Sequence, residues 1–401
     1  MRSVSVQIEL AGSWQELGQI RSETKRGSEF GAFGYSDSYL SSDQSYAIEP
    51  ALPLANGYSN ARGSLHGAFR DAAPDRWGRN LITRAIRQSR PQGTISELDF
   101  LLGVSDVSRV GNFRFDADQN PASEIEIPTL TTLPRVLRLS EEFEQSENFE
   151  ITKALLGVGS ASLGGARPKS SVLDQGTLMI AKFPHANDKW DVMAWEAWSL
   201  GLSKAFGLNV PEFRTIMIDG KTVLLLNRFD RVLDKRIGYV SAMTMLGKND
   251  GDSADYLELV EAITTQGAQV KEQLLELFKS VLVSVAIRNT DDHLRNHGFL
   301  RTRGGWNLSP LFDVNPTPPS ESLGRSTTIS GAVGTQAELA ALIEFSESFG
   351  LDKDRVKIII SELGELLRVF TQDAKLPTVP KAERELMNGI FNDSVIALAR
   401  T

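Results

Sequence analysis

Asp291 and Asn296 stand five positions apart in NTDDHLRN, residues 289–296, after an apolar helical stretch and before a short run of strand-forming residues. That offset lets an acid and an amide reach one phosphoryl group from a single short loop, the acid taking a hydroxyl proton and the amide holding a metal ion. Alone the pair is ambiguous, because Asp and Asn also cap helices and build turns. Asp313 follows Asn296 by seventeen residues, in LSPLFDV. Flanked by Leu311, Phe312 and Val314, its carboxylate is costly to bury without a cation or hydrogen-bond donors. A second metal-holding acid suits that position, and so does an ordinary turn acid. Upstream, Lys182 interrupts the apolar run MIAKFP, where it either snorkels from an edge strand or projects toward phosphate oxygens. Glu196, fourteen residues later in a helical pattern, is placed to pair with it. In SLGGARPK, Ser162 to Lys169, adjacent glycines let backbone N–H groups approach a phosphate closely, and Lys169 adds charge. Its spacing is neither a Walker A loop nor GxGxxG. Each feature has a bland structural reading; their order along the chain points to phosphoryl transfer.

These residues need particular elements to hold them. The segment TLMIAKFP predicts a strand for Lys182, and WDVMAWEAWSLGLSKAFGL a helix for Glu196. FRTIMIDGKTVLLLNRFD predicts a hairpin turning at Asp219-Gly220. Beyond about residue 240 the pattern is mainly helical, interrupted from Asn289 to Pro318. At the other end, Val4, Val6, Ile8 and Leu10 alternate as a strand, and residues 1 to about 60 read as β-rich. A helix is expected from Pro74-Asp75, with Trp77, Leu81, Ile82 and Ile86 at helical spacing. Residues 116–150, polar and acidic, read as a linker. The domains expected are therefore 1–115, 151–240 with the nucleotide site, and 241–401 with the catalytic and metal loops.

Composition removes other classes. The 401 residues, 41% hydrophobic and 23% charged, describe a folded globular protein rather than a disordered one. A net charge of −8 argues against broad nucleic-acid binding. With no cysteine there are no disulfides, thiolate nucleophiles or Cys-ligated zinc, and a reducing compartment is permitted. The amino terminus lacks the apolar block of a signal peptide and no run suffices to cross a bilayer, so a cytoplasmic protein with no membrane contact is expected. His293 and His297 are four apart, as in helical zinc pairs, but Gly298 ends any helix at once. Arg70, Arg76, Arg79, Arg84, Arg87 and Arg90 form a solvated helix face or else a partner surface. His66 and His185 read as surface or loop residues.

Over nearly its whole length the chain resembles the HipA-like serine/threonine kinases, toxins of type II toxin–antitoxin modules. FRDAAPDRWGRNLI, LDFLLGVSDVSRVGNFRF, SLGGARPK, IAKFP, NRFDR, NTDDHLRNHGFL and LSPLFDV carry the resemblance. It implies an α+β, two-lobed protein-kinase-like fold with a β-rich N-terminal subdomain and a mainly α-helical C-terminal lobe. It implies Asp291 as proton acceptor and Asn296 and Asp313 as Mg²⁺ ligands. ATP would meet Gly164, Gly165, Ala166, Arg167 and Lys169 of the phosphate loop, Lys182, the hinge Asn227, Arg228 and Phe229, His293 and Asn296. Glu196 would position Lys182. Ser162, or less favoured Ser160, would be the autophosphorylation site, where added negative charge repels nucleotide. Partners implied are a small DNA-binding, HipB-like antitoxin, with DNA met only through or beside it, and a protein substrate such as an aminoacyl-tRNA synthetase. The alternative is a nucleotide-binding partner of that antitoxin, acting in transcriptional autoregulation with little kinase activity. Two departures stand out: Asn227 where Glu is common, and Arg167-Pro168 where Gln-Glu occurs, Pro168 removing one N–H donor.

Overall fold

The alternation of Val4, Val6 and Ile8 does make a strand: β1 (Arg2–Leu10) buries all three and turns Ser3 and Ser5 to solvent. β2 (Ser13–Lys25) and β3 (Ser28–Tyr35) follow as an antiparallel meander. β4 (Ser59–Asn60) and β5 (Phe113–Asp116) complete a sheet of order β4-β3-β2-β1-β5. The computed structural model describes residues 1–116, 127–146, 148–160, 167–318 and 325–399. Its contacts divide the chain into two units, Met1–Asn187 with Ile216–Val240, and Asp188–Thr215 with Ser241–Thr401.

In the first unit, α1 (Arg76–Ser89) starts at Asp75 as its sequence predicts and buries Trp77, Leu81 and Ile82. α2 (Glu97–Leu102) is opened by a capping box between Ser96 and Asp99. The arginines of α1 have internal work. Arg79 clasps Glu97 with two bonds of 2.6 Å, and Arg90 pairs with Asp99. Arg84 lies 3.8 Å over the Phe143 ring and donates to the carbonyls of Phe143 and Ser146. Arg87 donates to the Gly93 carbonyl. Four of the run, Arg79, Arg84, Arg87 and Arg90, thus spend their guanidiniums on neighbouring backbone, acids and a ring. His66 departs from expectation too: it is buried, with its ring nitrogens on Glu49 and the Ser59 carbonyl.

The stretch read as a linker is not one in its described part. It holds α3 (Leu133–Gln145), which begins on a Pro turn and buries Leu133, Val136, Leu137 and Phe143. Those residues keep helical spacing, but Glu141, Glu142 and Glu144 between them give the segment a polar average. α4 (Phe149–Gly157) packs on it, and together with α1 these helices cover one face of a second sheet. That sheet contains β6 (Lys169–Asp174), β7 (Thr177–Lys182), β8 (Phe213–Ile218) and β9 (Lys221–Asn227), in the order β6-β7-β9-β8. Trp77, Phe143, Val172, Met179, Ala181 and Leu225 share its core, each large side chain contributing roughly 1.5–3 kcal/mol by leaving water. The predicted turn joins β8 to β9: Asp219 and Gly220 both have positive φ, 49° and 77°, the backbone of a type I′ hairpin.

After β9 the chain is bolted to the loop before β5. Arg228 grips Asp230 through two 2.6 Å bonds and donates to the carbonyls of Ser108 and Arg109. Asp230 also accepts from Arg231 and from the Gly111 N–H. β10 (Arg231–Val232) and β11 (Lys235–Arg236) then form a small hairpin whose Arg236 pairs with Asp106. Arg109 is wholly buried, donating to the carbonyls of Ala72, Leu101 and Val104, and burial pushes its guanidinium down to about 9.

The second unit begins with α5 (Val192–Ala205), capped by Asp191. Trp195 Nε1 donates to Glu383 at 2.7 Å, Trp198 Nε1 to the Phe370 carbonyl, and Trp198 stacks on Phe391 at 4.5 Å. Residues 188–215, read from sequence with the nucleotide lobe, therefore cluster with the C-terminal helices because two tryptophans seat there. β12 (Ala254–Asp255) leads into α6 (Tyr256–Gln266), and α7 (Val270–Ala286) is buried along most of its length. β13 (Gly298–Thr302) and β14 (Gly305–Leu308) form a hairpin, and β15 (Thr327–Thr328) runs parallel to β12. α8 (Thr335–Glu344), α9 (Lys353–Phe370) and α10 (Lys381–Ala399) complete the unit. No helix among the described residues is long and apolar enough to cross a membrane.

Candidate active site

The second unit builds one set of the expected residues from the end of α7. Arg288 leaves the helix in the left-handed region, φ 54°, and the chain runs without regular structure from Asn289 to an extended His293 before a single 3-10 turn, Leu294–Asn296. Asp291 projects outward, its side chain 87% exposed, with His293 Nε2 at 3.9 Å from its Oδ1. Asn296 is buried and its amide nitrogen donates to the Asp291 carbonyl at 2.8 Å. That bond closes the loop and commits the nitrogen, so Oδ1 is the atom left to meet a cation.

The β13–β14 hairpin returns the chain to the same place. Phe299 pairs with Leu308, and the Ser309 N–H donates to the Gly298 carbonyl at 2.8 Å. Asn296 precedes this hairpin and Asp313 follows it, on the two loops that flank it. Asp313 is half-buried with φ 54°, a backbone that Asp tolerates better than bulkier residues. Thr290 Oγ1 donates to Thr317 Oγ1 at 3.0 Å, joining the two loops directly. The donors on these loops are an amide and a carboxylate, hard oxygen ligands that suit Mg²⁺. Among the described residues no group of three or more His, Asp or Glu forms a protein cage for a metal. The histidine pair does not make a zinc site: His297 Nε2 is on Asp292, 2.7 Å away, and no α-helix carries the two rings.

The first unit holds the other set. Lys182 and Lys169 are both buried and sit directly opposite each other across β7 and β6, hence on one face of the sheet. Asn227 ends β9 opposite Met179. Arg228 is not free to act through its side chain, being locked on Asp230, and its N–H donates to the Leu178 carbonyl at 3.1 Å. Phe229 lies 6.2 Å from the Tyr239 ring. Arg167 opens the described chain before β6. Ser162, Gly164, Gly165 and Ala166 lie outside the described residues. Ser160 does not, and it is buried, donating to the Lys169 carbonyl and accepting from Trp77 Nε1. Both roles of its hydroxyl are taken, so phosphate mapping after incubation with ATP is expected to find none on Ser160. Phosphate there on folded protein would contradict this packing. Glu196 is buried in the second turn of α5, in the other unit from Lys182.

Residues 161–369 match the model of the HipA-like C-terminal domain, and residues 11–114 that of the HipA N-terminal domain. The chain belongs to the HipA family. Shewanella oneidensis MR-1 HipA, solved with HipB and its operator DNA, aligns over 98% of this chain and 97% of its own with a TM-score of 0.71. At 16% identity that likeness carries the HipA fold. A Haemophilus influenzae protein with a provisional kinase designation is 21% identical over 260 residues, 53% of this chain and 75% of its own.

The structure adds buried partners behind this loop that the spacing argument gave no role in phosphoryl transfer. Asp292 is 2% exposed and receives His297, Tyr256 and Arg325. Burial alone would raise its carboxyl, but His297 and Arg325 hold it well below the usual carboxylate range. The doubled acid in NTDDH was the available signal.

Proposed function

We propose that this HipA-family chain is an ATP- and Mg²⁺-dependent serine/threonine protein kinase, acting as the toxin of a toxin–antitoxin pair. The observation that supports the proposal is the closed loop from Asp291 to Asn296, tied by Thr290 to Thr317 on the segment that follows Asp313. Bound ATP with Mg²⁺ supplies a phosphoryl group whose charge the metal neutralises. Asp291, exposed on a loop fixed from behind, accepts the proton of the substrate hydroxyl. Asn296 and Asp313 hold the metal through oxygen, and Lys182 and Lys169 meet phosphate oxygens. Backbone groups of Asn227 and Phe229 take the base, and His293 stands near the phosphates. Ser162 is the regulatory autophosphorylation site, and Gly164 to Arg167 the loop its phosphate displaces. The solved relative was captured with HipB and operator DNA, which supports a small DNA-binding antitoxin as this chain's partner. An aminoacyl-tRNA synthetase is the substrate class the resemblance favours, and the cytoplasm the matching location.

Calorimetric ATP titration with and without Mg²⁺ tests the site. Lys182→Ala is expected to weaken ATP binding by roughly 10- to 100-fold, the worth of a charge-assisted hydrogen bond. Asp313→Asn is expected to remove the Mg²⁺-dependent part of the affinity. Unchanged affinity in both variants would overturn the assignment.

A further inference from the structure

Behind Asp291 and Asn296 lies a buried polar cluster that the proposed chemistry does not itself consume. Asp292 Oδ1 accepts from His297 Nε2 at 2.7 Å and Oδ2 from the Tyr256 hydroxyl at 2.5 Å, with Arg325 Nη1 at 3.7 Å. The carboxylate accepts only, so Nε2 carries the ring proton in this contact. Arg325, itself 4% exposed, reaches Glu338 on α8 at 2.9 Å and the Ser284 carbonyl on α7 at 2.8 Å. The main chain is held as tightly. The Asp292 carbonyl accepts from the Thr327 N–H and the Ser326 hydroxyl, and the His297 carbonyl from the Ala242 N–H at 2.7 Å. The Tyr256 and His297 rings meet edge to face at 5.6 Å.

Each anchor is the immediate chain neighbour of a residue assigned to the chemistry. Asp292 is held inward at 2% exposure while the side chain of its neighbour Asp291 faces out at 87%. Fixing His297 fixes the backbone that carries Asn296. We propose that Asp292 and His297, clamped by Tyr256 and Arg325, are positioning residues that set where Asp291 and Asn296 stand, which rests on the kinase reading of Asp291. They move no proton in the reaction. Their contribution is rigidity: misplacing a reacting group by about 1 Å costs roughly 100-fold in rate.

The test compares His297→Leu, His297→Gln and Tyr256→Phe in the full chain. Two readouts are taken, steady-state phosphotransfer and hydrogen–deuterium exchange across residues 289–298. His297→Leu is expected to lower kcat by about 10- to 100-fold with KM for ATP changed less than about threefold. Loop amides should exchange faster while the rest of the second unit keeps its protection. His297→Gln, whose side-chain nitrogen can stand near the place of Nε2, should recover most of both, and Tyr256→Phe should lose several-fold. Unchanged exchange in the loop of His297→Leu overturns the proposal, whatever the activity. So does a His297→Gln protein as impaired as His297→Leu, since the donor would then not matter. Asp291→Asn assayed beside them separates the two readings. Transfer retained in Asp291→Asn removes the assignment of Asp291 as proton acceptor, while the exchange result still decides whether the cluster holds the loop.

Discussion

Asp230→Ala is expected to cost about 3–5 kcal/mol of stability, because it strips the counter-ion from Arg228 in a fully buried pair. Arg228 would keep its bonds to the Ser108 and Arg109 carbonyls but lose the carboxylate, and Arg231 and the Gly111 N–H would lose an acceptor as well. The readout is the shift in urea midpoint of the first unit's unfolding, and a loss under 1 kcal/mol (roughly the worth of an exposed pair) would contradict it. A pH dependence follows with a definite sign. Burial alone would raise the Asp230 carboxyl, yet Arg228 and Arg231 hold it well below the usual carboxylate range. A depressed folded pKa means the contribution is complete above the unfolded value near 4 and is lost as pH falls through the folded value. Stability should therefore be indifferent to this group from neutral pH to about 4 and fall below it, and Asp230→Asn should remove that part of the acid sensitivity.

Asp291→Asn is expected to lower phosphotransfer by about 100- to 10,000-fold, the range for removal of a general base. The side chain is 87% exposed, so the fold should not notice the change. ATP affinity should stay within about threefold, since the residue acts on the hydroxyl rather than on the nucleotide. The contrast with Lys182→Ala, which weakens binding, separates proton acceptance from nucleotide contact. Full activity in Asp291→Asn would place the base elsewhere.

Much of this arrangement was legible because local chemistry is local in sequence. Asp219-Gly220 announces its own hairpin, Val4, Val6 and Ile8 their strand, and the offset from Asp291 to Asn296 is a property of one loop. The family is legible for the same reason, through short motifs matched one by one. What escaped depends on partners distant in the chain. Arg228 read through its backbone as part of an adenine hinge, which left unsaid that its guanidinium is spent on Asp230 and on carbonyls about 120 residues upstream. Nothing in NRFDR announces that distance. α3 was hidden by acids interleaved with its apolar stripe. The α5 helix read with the strands beside it in sequence, and only the seats for Trp195 and Trp198 on α9 and α10 assign it to the second unit. Asp292 and His297 were invisible as a pair because their partners, Tyr256 and Arg325, lie some thirty residues away on either side.

The central claim is that this HipA-family chain moves phosphate from ATP to a protein hydroxyl. The most direct measurement incubates the purified protein with Mg²⁺ and γ-labelled ATP, alone and with cell lysate, beside Asp291→Asn, and maps labelled residues by mass spectrometry. Label on serine or threonine, on Ser162 or on a lysate protein, and absent with Asp291→Asn, is the predicted result. ATP bound with no label on any protein would contradict it.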